Sequence, residues 1–300
     1  MSTPRLPWDD VVSAEVRTPS DTPVLPQPIV PAAKVHIAVP PGAVRTAVHG
    51  AAAVRLAAVR RHVLAHCASG VRVLAPTHEQ AHDVVRHVLD GTAASFGVER
   101  AGWVGFSVRL ATPALMARGL TPVSSLGFEA IVARVVSRAR EEGALAFFGE
   151  TARHPGFVPS LARTMSDVRL AGVPAAALDN GTPKGRDLAW LLSAVEQAMV
   201  ELRHADRAEV LALAAAAVHA DSAPDLALPL VLVDPPLASR RDVALAHALI
   251  RRSASPLLTA PAGDPWLQRL TADLGPCAAV AVCLNGLLMS AAESVMSGYF

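Results

Sequence analysis

Three stretches of the chain carry residue types whose spacing could do chemistry. In Val35–Thr46 an apolar run meets a Pro-Gly turn ahead of a helical pattern. A strand, a glycine-bearing loop and a helix in that order can hold a phosphate, because backbone N–H groups and the helix N-terminus all point at the anion. Against the spacing G-x-x-x-x-G-K-[ST] the residues are Val39, Pro40, Pro41, Gly42, Ala43, Val44, Arg45 and Thr46. Thr46 fits, and Pro40 and Gly42 suit a G-P-P-G-S-G-K-T variant. Val44 stands where a glycine takes positive φ, and a left-handed residue with a Cβ costs about 1–2 kcal/mol. Arg45 keeps the charge but replaces a compact ammonium with a planar fork. The stretch reads as an eroded nucleotide loop, although an ordinary strand-to-helix turn uses the same residues.

The second stretch is Leu230-Val231-Leu232-Val233-Asp234, an apolar strand ending in an acid. A carboxylate so placed can hold Mg²⁺ beside a nucleotide, with a following acid to orient water. Here the follower is Pro235, and an Asp at a strand end also serves as a turn former. The third is His78-Glu79-Gln80-Ala81-His82, a literal H-E-x-x-H. On a helix it sets two imidazoles one turn apart for Zn²⁺, with the Glu as general base. The longer metzincin pattern fails, with Val85 for Gly and Val88 for His, and the first turn of a helix disfavours a cation. A polar, solvated helix face accounts for the same residues. His62 and His66, also one turn apart, could add ligands only where their helix meets the first.

The elements that must position these residues follow from periodicity. The chain has 300 residues, 52% of them apolar, enough for a large α/β core, and a net charge of +1 that does not point to a polyanion. Residues 34–110 hold nine Lys or Arg against four Asp or Glu, so polyanion contacts would start there. Three cysteines, Cys67, Cys277 and Cys283, make no CxxC pair, which fits a reducing cytoplasm. Residues 1–33, with seven prolines, read as a mobile leader or strap. A helix is expected from Arg45 to Gly70, a strand over Val71–Ala75, a helix from His78 to Leu89 capped by Thr77, and a strand over Trp103–Leu110. Apolar stripes on Phe128–Val136, Phe157–Val168, Leu188–Leu202 and Val210–Val218 predict helices only, before a strand at Leu230–Val233, a helix over Arg240–Arg251 and a strand at Leu257–Thr259.

That order, with its anchors, resembles the N-terminal region of AddB-type subunits of bacterial ATP-dependent helicase-nucleases, members of the PD-(D/E)xK nuclease family. In that family the region is a degenerate helicase domain of the UvrD-like superfamily. The resemblance runs from about Lys34 to Asp264. Pro40–Thr46 sits where motif I would be, and Val71–Thr77 where motif Ia would be. Pro155–Gly172 resembles a helical segment of the insertion subdomain. Leu230–Pro235 and Gly263-Asp264 stand where motifs II and III would be.

The resemblance implies a P-loop NTPase-like (RecA-like) parallel sheet interrupted by an all-helical insertion. The first half of the sheet is expected over 34–111, the insertion over 112–222, the second half over 223–275, and an apolar tail over 276–300. It implies a non-motor module of a DNA double-strand-break repair machine, scanning DNA or scaffolding without ATP hydrolysis, and truncated before the nuclease domain. The degenerate nucleotide site would be Gly42, Arg45, Thr46 and Asp234, with no catalytic residue, no cofactor, and ATP and Mg²⁺ binding weak or absent. Thr77 and Thr112, at strand ends, would touch single-stranded DNA, and a helicase-nuclease partner subunit would cover apolar surface. The alternatives are an active NTPase with an atypical loop and a zinc hydrolase at His78 and His82. In the tail, Cys277–Ala292 is nearly uncharged but its sixteen residues fall short of a bilayer, so a buried helix or sequence foreign to the family is expected and no membrane.

Overall fold

The computed structural model describes residues 44–91, 96–221, 225–265 and 270, and the backbone of 278–284 and 287–290. The leader, Gly42 and the apolar run at 35–39 lie outside the described residues. The chain is α/β with a mostly parallel central sheet. Strands β1 (Val44–Val48), β2 (Val71–Ala75), β3 (Val98–Gly102), β6 (Leu230–Val233), β7 (Pro256–Ala260), β8 (Ala278–Leu284) and β9 (Leu287–Ser290) form that sheet, in the order β3-β2-β6-β7-β1-β8-β9. The pairing is parallel except between β8 and β9. Every residue of β2, β6 and β7 is buried, as parallel strands covered on both faces must be.

Helices α1 (Ala52–His66) and α2 (His78–Val88) cover one face, packing Val59, Val63, Ala81, Val85 and Val88 on Val71, Val73, Val231, Val233 and Leu257. Helices α3 (Trp103–Arg118), α7 (Arg207–His219) and α8 (Arg240–Arg252) cover the other, over Leu74, Leu232 and Leu258. Asp242, fully buried, ties these three together. It accepts hydrogen bonds from Trp103 Nε1 (2.9 Å), Arg207 Nη2 (2.9 Å) and Ser239 Oγ (2.6 Å). Helices α4 (Ser125–Glu141), α5 (Phe157–Leu170) and α6 (Pro183–Glu201) bury a separate core around Val132, Met165, Leu191 and Val195. Two-residue strands β4 (Thr121–Pro122) and β5 (His204–Ala205) pair where the chain enters and leaves that bundle.

Four sequence expectations change. The first described strand is Val44–Val48, where a helix is expected, and α1 starts at Ala52, not Arg45. Val44, Thr46 and Val48 are suited to a pleated strand and His49-Gly50-Ala51 makes the turn. Trp103–Leu110 is not a strand but the start of α3, because Trp103, Phe106, Ser107, Leu110 and Ala111 are buried at helical spacing. The third strand is instead Val98–Gly102. Helix α3 and helix α7 therefore belong to the sheet, and the bundle with its own core is shorter than 112–222. The described part of the tail is not a helix: Ala278–Leu284 pairs in parallel with β1, and Leu287–Ser290 pairs antiparallel with β8. A short apolar run has no period that separates a strand from a buried helix. Among the described residues no helix is long and apolar enough to cross a membrane.

Candidate functional site

The crevice with the best claim to a ligand follows from the topology. After β2 the chain turns into α2 on one face, whereas after neighbouring β6 it turns into α8 on the other. Between two such strands the connections part, leaving a crevice at their carboxyl ends, where ligands of open α/β sheets bind. A cavity of about 190 Å³ lies there, lined among others by Arg55, Ala75, Gln80, Val233, Asp234 and Thr259.

Asp234 leaves β6 at φ +42°, a left-handed conformation that Asp tolerates better than most residues with a Cβ. Both of its carboxylate oxygens accept hydrogen bonds, in a side chain that is 32% exposed. Arg55 Nε donates to Oδ1 at 3.1 Å and Arg55 Nη2 to Oδ2 at 2.9 Å, a bidentate fork. The Thr259 hydroxyl donates to Oδ1 at 2.9 Å, and the Asp234 N–H donates to the Thr259 carbonyl at 3.1 Å. Arg55 Nη1 also donates to the carbonyls of His49 (2.5 Å) and Gly50 (3.2 Å), so one guanidinium bridges the β1–α1 turn and the end of β6. The Arg55 side chain is only 11% exposed.

Arg45, Thr46 and Asp234, the described residues expected to form a nucleotide site, are not brought together. Arg45 and Thr46 lie inside β1, upstream of its carboxyl end, where no phosphate loop can use them. Thr46 is buried, with its hydroxyl unpartnered among the described residues. Of the described members of the set, Asp234 alone reaches the crevice, and Gly42 lies outside the described residues. Setting the same template ten residues downstream, onto the observed turn, puts Arg55 at the lysine position, with His49, Val54 and Leu56 where Gly, Gly and Ser or Thr belong. Arg55 and Thr259 were missed by sequence reasoning. The only signal was an Arg in the first turns of a helix after a strand, and its partner is 179 residues away.

Thr77 does stand at the carboxyl end of β2, where its hydroxyl accepts the Gln80 N–H at 3.2 Å while Gln80 Oε1 accepts the Thr77 N–H, a capping box. That cap and the nearby backbone hold the exposed Glu79 carboxyl below its usual range, the backbone contribution being the larger. Thr112 is not at a strand end: it lies within α3, its hydroxyl donating to the Val108 carbonyl at 2.7 Å. His78, Glu79 and His82 are all exposed, because the buried stripe of α2 is Ala81, Val85 and Val88. Among the described residues no three His, Cys, Asp or Glu side chains converge as metal ligands, so H-E-x-x-H finds no third donor there. His62 and His66 pair with each other instead, ring centroids 4.7 Å apart. His62 is buried with neither ring nitrogen in hydrogen-bond geometry; a Ser255 peptide group lies near enough only to oppose weakly the fall in its pKa.

Compared with known proteins, the chain matches no family model and no curated sequence.

Proposed function

We propose that this chain is a non-hydrolysing, RecA-like helicase module of a DNA-repair assembly, binding single-stranded DNA or scaffolding a motor partner, with its nucleotide crevice closed from within. The observation that carries the reading is the fork of Arg55 on Asp234. At the end of β6 a Mg²⁺ ion would have to compete with the Arg55 guanidinium, because both carboxylate oxygens already accept hydrogen bonds, Oδ1 from Arg55 and Thr259 and Oδ2 from Arg55. A cavity of about 190 Å³ is also below the usual range for a cofactor pocket of about 300–1,000 Å³. The turn before α1 presents one glycine, Gly50, and its carbonyl faces the guanidinium. The β1–α1 turn and the end of β6, both at the carboxyl edge, support the nucleotide-binding ancestry of the sheet, and the bundle of α4 to α6 supports the helical insertion.

Binding of a fluorescent oligo(dT) across a salt series tests this reading. The reading predicts affinity that falls linearly on a log–log plot against salt, as counterions are released, with no ATP turnover in the presence or absence of DNA. Salt-independent binding, or DNA-stimulated ATP hydrolysis, would contradict it.

A further inference from the structure

Two cavities lie away from the Asp234 crevice, between the helical bundle and the helices α3, α7 and α8. One of about 600 Å³ and one of about 300 Å³ adjoin through shared walls, Arg169, Glu196 and Glu209. Arg169 is committed there: it forks onto Asp206 (2.6 and 3.2 Å) and reaches Glu196 (2.5 Å). Arg118 is likewise held by Glu209 at 3.1 Å. Two other arginines are not. Arg241, at the end of the smaller cavity, forms no ion pair among the described residues, and its Nε is buried with no hydrogen-bond acceptor. Arg203, in the larger cavity, also lacks a carboxylate partner among the described residues and is held at φ +54°, outside the ordinary range for a residue with a Cβ. Beside it, His204 Nδ1 is buried and unpartnered.

A buried guanidinium nitrogen without an acceptor is costly, and native structures rarely keep one unless a water or ligand completes it. Gly172 leaves the space in front of it: its φ is +71°, and a Cβ there would stand 3.8 Å from Arg241 Nε. The shared wall also carries two carboxylates, Glu196 paired with Arg169 and Glu209 with Arg118. Glu196 and Glu209 keep partly exposed carboxylates, with side chains 42% and 33% accessible, that can accept hydrogen bonds from hydroxyl or amino groups. Leu120, Met199 and Val200 give the larger cavity an apolar side.

We infer that this cleft binds a phosphoester whose body carries hydroxyl or amino donors, the phosphate on Arg241 and the donors on Glu196 and Glu209. A planar fork of N–H donors suits phosphate oxygens, and carboxylate oxygens suit the hydroxyl or amino donors of the body. Cavities of these sizes match a mononucleotide, and the same chemistry is presented by a nucleotide of a DNA strand. The inference stands apart from the reading of the Asp234 crevice.

Calorimetric titration of the full chain with AMP, ribose 5-phosphate, inorganic phosphate and oligo(dT) tests it. AMP and ribose 5-phosphate are expected to bind more tightly than inorganic phosphate. Arg241→Leu is expected to weaken them at least about tenfold, and Arg241→Lys to lose less, because the charge but not the fork is kept. Glu196→Gln is expected to narrow the preference for AMP over inorganic phosphate. Weakening of oligo(dT) but not of AMP by Arg241→Leu would mean that a strand and not a free nucleotide supplies the phosphate. Because Arg241 makes no ion pair among the described residues, Arg241→Leu is expected to keep the wild-type circular dichroism spectrum. Should AMP, ribose 5-phosphate and oligo(dT) all fail to bind, or bind equally to Arg241→Leu, or be lost with Asp234→Asn instead, the assignment is overturned.

Discussion

His62 shows how a single buried side chain sets a pH limit on this protein. Its ring is buried with no partner on either nitrogen, and desolvation, with His66 and Arg45 adding their charge, lowers its pKa from 6.5 to about 4. As pH falls, the unfolded chain takes up this proton first. The stability that neutral His62 contributes is therefore complete above about pH 6.5 and is lost progressively down to about pH 4, a total of about 3 kcal/mol. His66 moves the same way, chiefly through its own burial. Urea unfolding of wild type and His62→Leu between about pH 7.5 and pH 4.5 measures the difference. Wild type should lose more stability than the variant over that window, and equal losses would show that His62 is solvated.

Among the elements, the bundle is fixed to itself by one acid. Asp187 in α6 accepts the N–H groups of Ala146 (3.2 Å), Phe147 (2.8 Å) and Phe148 (3.0 Å), pinning the turn after α4. Asp187→Ala leaves these donors without an acceptor, and the expected cost is about 3 kcal/mol in chemical denaturation. A loss below about 0.5 kcal/mol would mean that water replaces the carboxylate. Elements of this kind differ in how far the sequence reveals them. The strands β2, β6 and β7 are short apolar runs bounded by turn residues, and Thr77 with Gln80 marks the start of α2, so these stood out. Strand β3, Val-Glu-Arg-Ala-Gly, lies at the edge, and its Glu99 pairs with arginines of β2 and α3. Glu99 accepts from Arg72 at 2.7 Å and also pairs with Arg109, while both guanidinium groups stack on Phe106. Nothing local signals that network. Helix α3 hid because Trp-Val-Gly-Phe-Ser-Val-Arg-Leu alternates like a strand, and only its burial at i, i+3 and i+4 shows otherwise.

Across the whole molecule, the candidate site was half visible. Asp234 could be found because an acid closing an apolar strand is a local pattern. Arg55 could not, since its role depends on α1 starting at the carboxyl edge of β1 while β6 ends two strands away with β7 between them. Arg45, the residue with the right charge in the expected frame, is consumed by the strand. The central claim is that an internal ion pair occupies the place of a metal–nucleotide complex, and titration of the wild-type chain with MgATP, followed by calorimetry and phosphate release, tests it most directly. The account predicts no saturable binding heat and no phosphate release. One-to-one binding of MgATP that disappears in Asp234→Ala, with or without turnover, would contradict it.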